Sequence, residues 1–496
     1  MTEPGSSDPR GATSHRRIQA ERPHAALAAL MAVSLLLAVT WAAIVPAFQA
    51  PDEQSHFGYV QSVGERFELP GDVARLPFST QVSAGIIAVN SDQVAAQRPV
   101  KPEWDAQVER EWEANQGSPA DGGGPNPAST YPPTAYAWGA LGYVAGSGGT
   151  LFDELLGARL LSALWLPITV LATRLLAGEV FGRRRLLQAA AAAVPALAPM
   201  VAFVSASVSP DGMLYAIWSL ALWLGVRSIR RGVPALDGAA FFALVGIACT
   251  IKAASYALLV PAALVAVVGL LARRPWRVGG VLRLAAVVAV PLLLTLGAWV
   301  LAARLGDRPA AAQVAATSAP STGTNWRELV SYVWQYYLPR TPLQTRYEVP
   351  PGGYPLLQVW ITQAWAAFGW LEVKFAPWVY RVLALLTVAV GAAGLAALFR
   401  ARRTVDLRIV AFLALAFAAL LGGLHWTDYH QLEAGALGFM QGRYMFPAIA
   451  IFGLALGAAV SLLPERRRGV AVGAAVAGLL VFHISALGLV VERFYA

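Results

Sequence analysis

The residues able to do chemistry gather in a few short stretches of an otherwise apolar sequence. Pro51-Asp52-Glu53-Gln54-Ser55-His56 sets two adjacent carboxylates three residues before an imidazole. Such a group can hold a divalent cation, act as a general base, or only solvate a loop. A helix beginning at Pro51 would give Asp52 a capping role, and spacing alone slightly favours that. Three cations interrupt or open apolar runs: Arg159, Lys252 within Thr250-Ile251-Lys252-Ala253, and Arg443 within Gln441-Gly442-Arg443-Tyr444. A cation at membrane depth is costly unless paired or bound to an anion. The competing reading is that each long side chain snorkels to headgroup phosphates, strongest for Arg159 and weaker for Lys252. Asp211, in Ser209-Pro210-Asp211, reads as a helix cap. His425, Asp428 and His430 fall in an expected loop, as a second polar wall or a metal site, with no strict metal spacing.

The elements that carry these residues follow from composition. Of 496 residues, 57% are hydrophobic and 14% charged, with mean hydropathy +0.53. A soluble domain carries about 25% charge, so a soluble globular enzyme is excluded. None of the three lysines follows a glycine, which removes a phosphate-binding loop of the Gly-Lys type. The single cysteine, Cys249, excludes an intrachain disulfide and a thiolate metal cluster.

Apolar runs predict eleven spans, near 25–45, 159–178, 186–206, 212–226, 236–251, 255–272, 281–302, 376–399, 407–424, 443–462 and 469–490. Arginine clusters at 183–185, 227–231, 273–277, 400–403 and 466–468 follow spans two, four, six, eight and ten. All then share the side of the basic segment 1–24, as the positive-inside rule requires. The first apolar run is too long for a signal-peptide core and reads as an uncleaved span. Tyr131–Val144 is short, opens with Tyr131-Pro132-Pro133, and would break the parity as a span. It is expected to lie in or re-enter from the outer interface. Two long segments face outside, 48–158 and 303–375, followed by the helices of 376–496. Residues 46–158 hold 14 acidic side chains against five basic ones. The second segment is rich in Trp and Tyr, which suits a membrane-interface belt more than a sugar-stacking surface. Outward carboxylates and cations suit a lipid phosphate as substrate.

The carboxylate pair after the first span resembles the hallmark of the GT-C superfamily, multi-pass glycosyltransferases that use polyprenyl-phosphate sugar donors. Tyr131-Pro132-Pro133-Thr134-Ala135-Tyr136 is similar to that superfamily's Pro-Pro-Leu-Tyr-Tyr interfacial helix. The likeness continues through Ala158–Leu164, Phe181-Gly182-Arg183-Arg184, Ser209-Pro210-Asp211 and the Lys252 segment. More narrowly, three motifs resemble a bacterial membrane-protein family of unknown function placed near those enzymes. They are Pro51–His56, Gly369-Trp370-Leu371-Glu372 with Trp378-Val379-Tyr380, and Gln441–Pro447. The resemblance covers about residues 26 to 460.

It implies an all-α polytopic membrane protein with a GT-C-like core at 25–302, in a bacterial plasma membrane, with the N-terminus cytoplasmic and the active site extracytoplasmic. Asp52 would be the base of an inverting transfer or would hold a divalent cation, Mg or Mn, with Glu53 sharing that site. Glu53 and His56 would support Asp52. Arg159, Lys252 and Arg443, with Gln441 and Tyr444 beside the last, would bind the donor phosphate. The expected partners are a polyprenyl-phosphate-linked sugar, a cell-envelope glycan or lipid-linked acceptor, and the bilayer, with no nucleic acid. High Ala and Arg usage points to a GC-rich bacterium, where cell-wall polysaccharides are plausible acceptors. A lipid or polysaccharide flippase and a non-enzymatic assembly subunit stay open as alternatives, although the internal repeat usual in transporters is not found.

Overall fold

The computed structural model describes residues 23–97, 99–102, 106–305, 324–344, 355–435 and 438–496. The basic segment 1–22 and much of the second long segment, 306–323 and 345–354, lie outside the described residues.

The chain is built from helices. In order they are α1 (Pro23–Ile44), α2 (Glu53–Arg66), α3 (Thr80–Ala88), α4 (Ser91–Ala96), α5 (Ala106–Ala114), α6 (Thr134–Gly146), α7 (Leu151–Ala163), α8 (Trp165–Phe181), α9 (Arg185–Leu197) and α10 (Pro199–Ser205). Then come α11 (Asp211–Arg230), α12 (Ala235–Cys249), α13 (Leu259–Leu271), α14 (Val278–Leu305), α15 (Trp326–Tyr337), α16 (Pro377–Ala401), α17 (Leu407–Glu433), α18 (Ile449–Ser461) and α19 (Glu465–Tyr495). Short 3₁₀ turns, Ala253–Leu258 and Gly442–Ala448, lead into α13 and α18.

Among the described residues nine helical stretches are long and apolar enough to cross a bilayer, or ten if α9 and α10, bent by 56° at Ala198, form one broken span. The chain is a multi-pass membrane protein. Of the eleven expected spans, the exception is α12, whose 15 residues reach only about 22 Å against a hydrocarbon core of about 30 Å. Outward apolar side chains such as Leu385 and Leu293, each 71% exposed, belong in lipid. α6 is a 13-residue helix that spans nothing, as expected of the Pro-Pro segment.

Two boundaries differ from the hydropathy pattern. The second span begins at Leu151 rather than 159, because Thr150 and Asp153 form a capping box: Thr150 Oγ1 accepts from Phe152 N at 3.3 Å and Asp153 Oδ2 from Thr150 N at 2.7 Å. α17 runs on through Glu433, so His425, Asp428 and His430 are helical and not in a loop. Their polar side chains are enclosed by Tyr332, Tyr337 and Thr324, so helix continues where polarity suggests a stop.

Close packing fixes the scaffold beneath the site. A Cβ on Gly142 of α6 would stand 2.5 Å from Gly157 O of α7, so glycine permits that backbone approach. Far along the chain, His483 Nε2 accepts from Trp41 Nε1 at 2.8 Å, and its Nδ1 stands 3.0 Å from Leu197 O. Indole can only donate and a carbonyl can only accept, so the ring is neutral with its proton on Nδ1. That one side chain ties α19 to α1 and α9.

Candidate functional site

The chain leaves α1 at Ile44, turns through Pro46 and Pro51, and enters α2 at Glu53. Asp52 occupies the N-cap position in the left-handed conformation, φ 61°, and its side chain makes no capping hydrogen bond. Helix initiation falls to backbone, with His56 N donating to Asp52 O at 3.1 Å. The Asp52 carboxylate instead accepts from Arg443 Nη2 at 2.9 Å. The capping role that spacing favours is therefore not the one the side chain fills.

Glu53 turns to a different cation. It is 0% exposed and accepts from Arg159 Nε at 2.8 Å, from Arg159 Nη2, and from Val208 N at 3.1 Å. Arg159 also donates to Ala42 O at 3.1 Å, Val45 O at 2.6 Å and Pro46 O at 3.0 Å. A guanidinium has five N–H groups, and all five are engaged. Arg159 neither snorkels nor has a donor left for a phosphate. In this arrangement the pair braces α7 against the end of α1 and the start of α2.

The other cations converge. Lys252, extended between α12 and the 3₁₀ turn, donates to Asp211 Oδ1 at 2.8 Å, and Arg443 Nε lies 4.0 Å from Asp211 Oδ2. Asp211, at the first position of α11, is buried and serves as this shared counter-charge. The Tyr444 ring centre lies 4.7 Å from Lys252 Nζ and 5.4 Å from the Arg443 guanidinium carbon, and Tyr131 covers Lys252 at 5.7 Å. Such contacts contribute about 0.5–2 kcal/mol each. Gly442 lets the Gln441–Tyr444 turn press onto residues 358–364, where a Cβ would meet Val359 O at 2.4 Å. Gly442 N donates to Gln363 Oε1 at 3.1 Å, while Gln441 Oε1 is buried with no hydrogen-bond partner.

His56 is buried behind this group. Its Nδ1 lies 2.8 Å from the Tyr136 hydroxyl, its ring stacks on Tyr136, and Tyr136 stacks on Tyr59 at 3.8 Å between ring centres. Burial pushes the imidazole down to about 4, with Asp52 opposing. His56 is thus neutral near pH 7 and positions α2 against α6.

Asp211, Lys252, Arg443, Tyr131 and Tyr444 are among the residues lining a cavity of about 350 Å³. The rest of the lining is mostly apolar, including Ala254, Ala257, Ala419, Gly423 and Pro447, with Tyr256, Trp426, Thr427, Gln431 and Phe439 among it. The buried Nε of Arg443 has no hydrogen-bond partner. His425 and Asp428 stand aside: His425 Nε2 lies 2.7 Å from the Tyr337 hydroxyl, and Asp428 takes the Tyr332 hydroxyl and, at 2.8 Å, Phe439 N. Among the described residues no three His, Cys, Asp or Glu side chains come together to hold a metal, and Asp52 and Glu53 engage different cations. Neither carboxylate pattern fits the expected Mg or Mn site.

Sequence reasoning found Lys252 and Arg443 but read Asp211 as a cap. The available signal was that a lysine in an apolar run needs a counter-charge at the same depth.

Residues 35–452 match the family model described as "Predicted membrane protein (DUF2142)". The chain belongs to that family. No curated protein matches it in sequence. Among solved structures it is similar to ArnT from Cupriavidus metallidurans bound to undecaprenyl phosphate, at 17% identity and TM-score 0.47, covering 94% of this chain and 71% of that one. It is also similar to the archaeal oligosaccharyltransferase AglB from Archaeoglobus fulgidus, in complex with an inhibitory peptide and a dolichol-phosphate, at 12% identity and TM-score 0.49. That match covers 95% of this chain and 56% of AglB, so the chain spans just over half the length of the archaeal enzyme.

Proposed function

We propose that the cavity is the donor site of a GT-C-type membrane glycosyltransferase, which moves a sugar from a polyprenyl-phosphate donor to a cell-envelope acceptor. The observation that carries this is a single cavity whose lining joins the mostly buried Lys252 and the buried Arg443 to a largely apolar surface. That pattern suits an anion attached to a long hydrocarbon chain. Lys252 and Arg443 bind the phosphate, Tyr444 and Gln441 flank it, and the apolar wall takes the start of the tail.

Asp52 is the base. It is the half-exposed carboxylate bonded to Arg443, 47% exposed against 6% for Asp211. An inverting transfer needs one base for the acceptor hydroxyl proton and a stabilised phosphate leaving group, and no step here is assigned to a divalent cation. Glu53 and His56 act through Asp52 by holding the start of α2. The arginine pattern supports a cytoplasmic first segment and an extracytoplasmic site. Purified protein in lipid, given radiolabelled polyprenyl-phosphate sugars and envelope glycans, tests the reading. Transfer of label supports it, and exchange of the lipid across the bilayer without transfer would favour a flippase.

A further inference from the structure

Arg443 is held by two carboxylates of different character. Asp211 is buried and already bonded to Lys252. Asp52 is half exposed, caps nothing, and reaches Arg443 from a left-handed backbone conformation. For an L-residue that conformation is strained, and Asp is among the residues that adopt it. The guanidinium lines the cavity, and its buried Nε lacks a hydrogen-bond partner. Arginine recognises carboxylate and phosphate through the same N–H geometry, so an anion entering the cavity competes with Asp52.

We infer that Asp52 occupies the place of the donor phosphate at Arg443, so that donor binding displaces it and only then frees it to act as base. This rests on the donor-site reading above. While the pair holds, Asp52 Oδ2 is bonded to Arg443, so an acceptor or water arriving first finds one of the two carboxylate oxygens taken and the side chain held in place. The arrangement imposes an order, donor before acceptor, and protects against idle proton transfer. Asp211, anchored by Lys252, stays in place and keeps Arg443 aimed at the cavity during the exchange.

The test is binding of a short-chain polyprenyl monophosphate, which carries no sugar, to the full chain in lipid nanodiscs. Removing an internal competitor strengthens binding, so Asp52→Asn is expected to bind roughly threefold more tightly than wild type, about 0.7 kcal/mol at 1.4 kcal/mol per decade. Asp52→Gly serves as a second variant, because glycine accepts the left-handed backbone and the fold is kept. In an Arg443→Gln background the same change is expected to do nothing, since the competition runs through that side chain. Equal or weaker binding by both Asp52 variants overturns the inference. So does equal tightening in both backgrounds, which would mark a general field effect. Absence of binding by wild type would overturn the donor-site reading itself.

Discussion

Lys252 Nζ stands 2.8 Å from Asp211 Oδ1, across 41 residues of sequence, and the second oxygen of that carboxylate lies 4.0 Å from Arg443 Nε. The two cations expected to meet a phosphate are therefore held together by one buried counter-charge. With Asp52 included, the group has two positive and two negative charges, so an incoming anion competes with carboxylates already in place.

Lys252→Gln is expected to weaken polyprenyl-phosphate binding about 10 to 150-fold, from loss of a charged hydrogen bond at about 1.5–3 kcal/mol. It also strands Asp211. The double variant Lys252→Gln, Asp211→Asn should recover thermal stability without recovering affinity, read by melting in detergent and by titration. Unchanged affinity in the single variant would reassign Lys252 to scaffold.

Arg159→Met and Glu53→Gln are expected to act on folding. Each breaks a buried pair and leaves its partner uncompensated, which costs about 3–5 kcal/mol. Both should lower the melting temperature sharply, and the double replacement should be milder than either single. A normally stable Arg159→Met with raised donor KM would instead return Arg159 to the donor site.

His56 gives a pH signature. Its imidazole is at about 4 when folded against about 6.5 when unfolded. The unfolded chain therefore binds the extra proton between those values. The His56 contribution is fully present above pH 6.5 and is lost as pH falls toward 4. A His56→Gln variant should show a shallower fall in melting temperature over pH 6.5 to 4 than wild type, and parallel curves would contradict this assignment.

Chelation is expected to leave transfer intact. Asp52 and Asp211 are already balanced by Arg443 and Lys252, and no set of three ligands converges among the described residues. Loss of activity in EDTA with recovery in Mg or Mn would show a metal role.

Spans were legible because lipid and charge act locally: an apolar run and the arginines beside it suffice to place a helix. The exceptions have tertiary causes. His425 to Glu433 looks like a loop until the tyrosines of α15 cover its polar groups. Arg159 looks like an anion ligand because its consumer, Glu53, is 106 residues away, and no local pattern pairs the two. Asp52 was found as a candidate, but the contact that separates capping from chemistry comes from Arg443, 391 residues on.

Asp52→Asn tests most directly whether Asp52 is the base beside a lipid-phosphate cavity. Asparagine keeps the shape and tolerates the left-handed backbone as aspartate does, but lacks the basic charge. Measured in lipid with labelled donor, transfer should fall about 10²–10⁴-fold, with the melting temperature kept and phosphate binding no weaker. Full activity in a folded Asp52→Asn protein would contradict the account.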